Sequence, residues 1–235
     1  MTERTRPDGA MDMALRRLHE MIVAGALLPG EQIRQQEVAE QLGVSRVPLR
    51  EALNVLARQG LLVHRPHQGY FVAKRLPLEL AQVRRMLHLL ESELMRSIEW
   101  PDKATLEELE SLNARMMECA HANDWTPLLA LNRRFHFIVF ELSPYKLILD
   151  QVTRLWDIAE PNIARKLSLS EARERTLQDH AELLDALRRR DRAACLRVMN
   201  DHRSGQSAAL PYELPTETAD AAQEGRAERP SLKAG

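Results

Sequence analysis

Two groups of side chains in this 235-residue sequence have the types and the spacing to do chemistry. Arg46 and Arg50 stand four apart, beside Ser45 and Pro48. On a helix that spacing puts two guanidinium forks on one face, where each can grip a guanine edge in bidentate fashion or clamp a phosphate. The second group is Asn132, His136, His180 and His202. Asn132 and His136, also four apart, fall inside the apolar stripe of Leu128, Leu131, Phe135 and Val139. His180 lies between Leu177 and Leu184, and His202 completes an i, i+4, i+7 series with Cys195 and Met199. Three imidazoles and an amide aimed at a helical interior leave polar atoms unpaired, at roughly 1–3 kcal/mol each, unless something shared satisfies them. Neutral imidazoles suit Zn, Ni, Cu or Fe, so a divalent transition metal is the economical shared partner. Any one of these histidines alone reads better as a core residue bonded to a backbone carbonyl. Only the set together favours the metal.

The elements that must position the arginines are legible nearby. Ser45 is a good N-cap, and Pro48 is tolerated only in a first turn, so a helix should begin near Arg46. Leu49, Leu53 and Leu56 give that helix a face to bury. Upstream, Gln36 to Leu42 reads as a short helix stopped by Gly43, which completes a helix-turn-helix. Downstream, Leu61-Leu62-Val63 and Tyr70-Phe71-Val72 flank the turn-rich stretch His64 to Gly69 and predict a β-hairpin, that is, a wing. Met13, Leu15, Leu18, Met21 and Ile22 mark an amphipathic bracing helix that ends by Gly25.

Leu28-Pro29-Gly30, Val38-Ala39, Leu42 to Arg46, Pro48 to Leu53, Leu56, Gly60-Leu61 and Gly69 together form a long ordered pattern. It resembles the winged-helix domain of GntR-type bacterial regulators over about residues 11–75. The resemblance implies that Ser45, Arg46, Pro48 and Arg50 meet DNA, that Gln36 sits where the preceding helix touches it, and that His67 to Gly69 form the wing tip. Relatives with the best-understood contacts carry an arginine where this chain has Gln36.

Net charge is −1, which taken alone argues against nucleic acid. Its distribution reverses that reading. Residues 1–77 hold 11 Lys/Arg against 8 Asp/Glu, a surplus of three, and the remainder holds 22 against 26, a deficit of four. Fields act within a Debye length of roughly 8–10 Å, so a locally positive end can bind phosphate. The surplus is small, and a homodimer is expected to supply enough contacts. Cys119 and Cys195 stand singly, which implies neither a disulfide framework nor a CxxC zinc site and fits a reducing cytoplasm. No apolar run approaches the roughly 20 residues of a membrane helix, and no membrane association is expected.

Beyond Lys74 to Pro77, a linker in composition, the pattern is almost unbroken helix. Helices are predicted from Leu78 to about Ile98, Asp102 to Ala122, Asp124 to Leu142, Lys146 to Lys166 with a possible kink at Pro161, Ser170 to Arg190, and Asp191 to about Ala209. The expected units are therefore an arm (1–10), a winged helix-turn-helix (11–77), a helical metal- and effector-binding domain (78–209) and a disordered tail (210–235). Asn132-x-x-Phe135-His136, then His180, then His202 on a terminal helix resembles the FCD-type domain of the FadR branch of GntR regulators. That resemblance implies a six- or seven-helix bundle in which Asn132, His136, His180 and His202 hold the metal, with a small carboxylate effector beside or on it. Relatives meet that carboxylate with an arginine shortly before the glutamate that corresponds to Glu91. Here Leu87 takes that position and Arg84 and Arg85 stand nearby, so Arg84, with Trp156 and Asn162, is the candidate effector contact. Packing is the competing reading for the tryptophan, and helix-kink geometry for the asparagine.

The expectation is a mainly α protein, a winged helix-turn-helix followed by an all-α bundle. It would act as a DNA-binding regulator, a repressor in the family's usual mode, on a two-fold double-stranded DNA operator under control of a small organic acid. Two alternatives stay open. Three histidines with an open coordination position could activate water in a metal-dependent enzyme, although no general base accompanies them. The metal could also be purely structural.

Overall fold

The computed structural model describes residues 9–122 and 125–207. The expected arm, apart from its last two residues, and the expected tail lie outside them. Three helices and a hairpin come first. They are α1 (Ala10–Val23), α2 (Gln35–Leu42), α3 (Arg46–Arg58), β1 (Leu62–Arg65) and β2 (Gly69–Val72). Six helices follow among the described residues: α4 (Pro77–Ser97), α5 (Lys103–His121), α6 (Trp125–Glu141), α7 (Lys146–Leu167), α8 (Ser170–Arg188) and α9 (Arg192–Ser207).

Each region closes around its own apolar cluster. In the first, Leu18, Leu49, Leu53 and Leu56 are fully buried, and α1 packs along α3. Gly43 ends α2 at φ +65°, a left-handed turn that glycine takes without steric cost, and so sets the angle at which α3 departs. The hairpin pairs Leu62 with Val72 and Arg65 with Gly69. A third segment, which the sequence did not announce, flanks it: Ile33 N donates to Tyr70 O at 2.8 Å and Val72 N to Glu31 O at 2.8 Å. The Tyr70 hydroxyl donates to Asn54 Oδ1 at 2.5 Å and ties the wing to α3.

The second region is the predicted bundle. Leu94, Met95, Ile98, Leu109, Met116, Leu128, Phe135, Val139 and Phe140 are buried to 1% exposure or less, each contributing about 1.5–3 kcal/mol in apolar transfer. Helix ends are closed by side chains. Asp102 Oδ1 accepts from Thr105 N at 2.8 Å at the start of α5. Arg192 donates to the carbonyls of Arg96 (2.7 Å) and Ile98 (3.0 Å) at the end of α4, and its guanidinium lies over the Trp100 ring. Pro161 sits inside α7, as the sequence suggested.

The two regions touch. α1 packs against α7, and His19 Nε2 donates to Glu160 Oε2 at 2.9 Å. Glu160 also accepts from Arg133 at 3.4 Å, and Arg133 reaches Asp157 at 2.7 Å. Arg75, in the connecting segment, donates to Gly60 O at 3.0 Å. At Gly60, a β-carbon would come within 3.5 Å of Ile158 in α7. Burial holds the Asp157 carboxyl above its usual range, with Arg133 opposing.

Candidate nucleic-acid interface and metal centre

α3 begins at Arg46, with Ser45 at the N-cap position and Pro48 in the first turn, where no helical N–H is missed. Leu49, Ala52 and Leu53 face inward, and Arg46 and Arg50 are exposed on the opposite side. Ser45 differs from expectation in one respect. Its side chain makes no capping hydrogen bond, so the hydroxyl remains outward on an exposed residue. Gln36 has a definite task. Its Oε1 accepts from Arg46 Nε at 3.0 Å and from Arg46 Nη2, while its amide donates to Glu40 Oε1 at 2.5 Å. One edge of the Arg46 fork is thereby held against α2. At the wing, His67 has φ +62° and Gly69 φ +90°, so the tip turns through two left-handed residues. Gln32 Nε2 donates to Gln68 O at 2.6 Å, and the Arg65 guanidinium stacks over Phe71.

The other predicted group converges in the bundle. His136 from α6, His180 from α8 and His202 from α9 have ligand nitrogens all within 4.8 Å of one another, and the three residues are 1–2% exposed. The Nε2 atoms of His136 and His180 are 3.2 Å apart. Two nitrogens on one tetrahedral zinc at 2.0–2.1 Å would be separated by about 3.3 Å. His202 Nδ1 meets Asp179 Oδ2 at 2.9 Å, which fixes the ring and turns Nε2 toward the cluster. Asn132, one turn before His136, is 2% exposed, and its Oδ1 has no hydrogen-bond partner among the described residues. Three clustered imidazoles, with the donorless carbonyl of Asn132 one turn from His136 on the same helix, make a donor set that fits a divalent transition ion.

Burial, reinforced by the neighbouring imidazoles, holds His136 and His180 well below their ordinary pKa. His202 is lowered by burial too, with the Asp179 bond opposing. All three are therefore neutral, the form that ligates metal. Trp156 lies against His136 with ring centroids 5.2 Å apart, and its Nε1 donates to the buried carboxylate of Glu91 at 2.7 Å. Glu91 also accepts from Arg203 at 2.9 Å, and burial raises its pKa against those partners. The other positive charge felt at His136 and His180 is Lys166, lowered by burial to about 8. Arg84 and Asn162 are half-buried on α4 and α7. The cations whose fields reach the imidazoles are Arg203 and Lys166. The sequence reading missed Lys166, Arg203 and Asp179, because a helical stripe orders residues along one helix and not against the next.

Comparison with known proteins follows the same division. The FCD domain family matches residues 79–205, and the bacterial regulatory protein gntR family matches residues 11–72. The chain belongs to the GntR family of bacterial regulators, in its FCD-containing form. The HTH-type transcriptional regulator McbR of Escherichia coli K12 is 26% identical over 200 residues, 83% of this chain and 90% of McbR. The HTH-type transcriptional repressor RspR of the same organism is 26% identical over 191 residues, 79% of this chain and 82% of RspR. The solved structure of E. coli McbR/YncC superposes with a TM-score of 0.74 at 24% identity, covering 86% of this chain and 97% of that one. A GntR regulator from Rhodococcus sp. RHA1 gives 0.70 at 19% identity, covering 86% and 99%. This GntR/FCD chain is a DNA-binding transcriptional regulator and not an enzyme. No helix among the described residues is long and apolar enough to cross a membrane.

Proposed function

We propose that the chain is a ligand-controlled repressor working as two units, residues 11–77 on DNA and residues 78–209 as the sensor. It acts as a homodimer on a two-fold operator in the cytoplasm. One observation carries the sensor reading: three neutral imidazoles sit buried together, one helical turn from the donorless Asn132 carbonyl, with the positive charges of Arg203 and Lys166 acting on the imidazoles. His136, His180, His202 and Asn132 would hold a divalent transition ion such as Zn or Ni, which when bound offers a positive coordination position to an anionic oxygen. Lys166 and Arg203 add attraction for a small organic acid. The Trp156 indole, lying on His136, gives that acid a flat wall.

The arginines do the contacting at the other end. Arg50 is an exposed fork on the first turns of α3, and Arg46 is steadied by Gln36. Ser45 and Pro48 at the start of α3 and His67 and Gly69 at the wing tip would complete the contact with the duplex. Occupancy of the sensor reaches α3 through α7, which carries Trp156 at the cluster and, one turn on, Glu160 against His19 of α1. A metabolite that binds the two arrangements of these units unequally shifts the separation of the recognition helices. Repression agrees with the name of the relative RspR.

The test uses the full chain and a duplex that it selects from a random library. Operator affinity is measured by fluorescence anisotropy across a panel of C2–C6 organic acids, with metal and after chelation. The expected result is weakened operator binding by at least one acid, lost on chelation and lost in His180→Ala. Affinity that no acid alters, with or without metal, overturns the sensor reading and leaves a structural metal as the second reading.

A further inference from the structure

The first turn of α3 carries an apolar residue that the fold does not use. Val47 is 68% exposed, whereas Leu49, Ala52, Leu53 and Leu56 on the same helix are fully buried. A β-branched residue at an exposed helical position lowers helix propensity and leaves its isopropyl group in water, so packing within the domain gives no reason for it. Single exposed apolar residues are ordinary on protein surfaces. Its neighbours set this one apart. Arg46 precedes it, Arg50 follows three residues later, and both are exposed. The Gln36 side-chain carbonyl holds the Arg46 guanidinium against α2, and Val47 stays open to solvent.

We infer that Val47 is a specificity-determining residue that reads the C5-methyl group of a thymine beside the base or phosphate gripped by the arginines. The inference rests on α3 being the helix that enters the major groove. There, base pairs present donors, acceptors and one apolar group, the thymine methyl. A valine can neither donate nor accept, and it loses nothing by leaving water against a methyl group. Residues at the N-terminal end of a recognition helix are the ones that reach base edges, and Val47 is the second residue of α3. Its χ1 angle is nearly fixed in a helix, so contact costs little side-chain freedom. The arginines supply grip and polar readout, and Val47 adds discrimination for thymine over cytosine at one position in each half-site.

The experiment uses the selected duplex, with each thymine of a half-site replaced in turn by deoxyuridine, a change that removes only the methyl group. Full-length wild type, Val47→Ala and Arg50→Ala are compared by anisotropy, with thermal melting as a check on folding. One deoxyuridine position should weaken wild-type binding about fourfold, the scale of burying one methyl group. Val47→Ala should bind the thymine duplex more weakly by a similar factor and be indifferent to deoxyuridine at that position. A selected half-site without thymine, or wild-type binding that no deoxyuridine changes, overturns the inference, as does a Val47→Ala protein that keeps the full deoxyuridine penalty. Should α3 lie outside the groove, Arg50→Ala would also leave affinity unchanged, which separates that failure from the failure of Val47.

Discussion

Arg46, Arg50 and Val47 stand in solvent on a helix whose other face is a plain leucine core, whereas His136, His180 and His202 are 1–2% exposed at the centre of the bundle. The first region keeps its interior apolar and places its chemistry outside. The second places neutral imidazoles, a donorless carbonyl and the Glu91 carboxylate where leucines would pack. A surface that acts by contact needs only to be held in shape, and its groups are solvated until a partner arrives. A polar interior carries a standing desolvation cost that a bound ion and its ligand can offset, so its stability should answer to what it binds.

The sharpest way to break this contrast is to supply or withhold metal. Zn or Ni at about a thousandfold over its Kd should stabilise the chain by about 4 kcal/mol, read as a melting shift, and His180→Ala should erase most of it. No shift in the wild type would make the bundle as indifferent to ligands as the winged region. With chelator present, pH gives a second reading of the same difference. The folded state holds the three imidazoles below their ordinary 6.5, so it favours the neutral forms. Their contribution to stability is complete above pH 6.5 and is lost as pH falls through the depressed values. Urea midpoints at pH 7.5 and 5.5 should show the drop.

Arg50→Ala comes next in size. It should cost roughly 1–3 kcal/mol of operator affinity if the fork reads a base, while stability stays within ~0.5 kcal/mol. A large melting shift would mean that Arg50 belongs to the fold rather than to the interface. His19→Ala probes the seam between the regions. Losing its bond to Glu160 should cost about 0.5–1.5 kcal/mol of stability, since Arg133 still pairs with that carboxylate. It should also shrink the effect of an acid on operator binding while both separate affinities persist. Undiminished coupling would place communication elsewhere. Ser45→Ala should be the mildest. Because its hydroxyl caps nothing, stability should change by less than the ~1 kcal/mol usual for an N-cap, and a full loss of that size would contradict the geometry.

Much of this is legible in the sequence alone. Ser45 and Pro48 fixed where α3 starts, because an N-cap position and a first turn are local facts. The order of helices followed from apolar spacing and from the stop at Gly43. Asn132, His136, His180 and His202 stood out because each interrupts a stripe, and the structure brings the three histidines together. What stayed hidden depends on elements meeting across space. Asp179 reaches His202 from α8, Gln36 reaches Arg46 from α2, and Gln32 bridges to Phe71 of the wing from outside both strands. Lys166 and Arg203 act on the cluster from the ends of α7 and α9, where no local pattern marked them.

Pro161 has a consequence for how α7 moves. A proline within a helix removes the bond back to the carbonyl four residues earlier and softens the rod at that turn. The softened turn runs from Asp157 to Pro161, so Trp156 stands just before it and Glu160 within it. The indole and the carboxylate that holds His19 therefore sit on either side of a yielding joint, and each can adjust without forcing the other. Lys166 rides on the short segment past that turn, whose direction the same joint leaves adjustable.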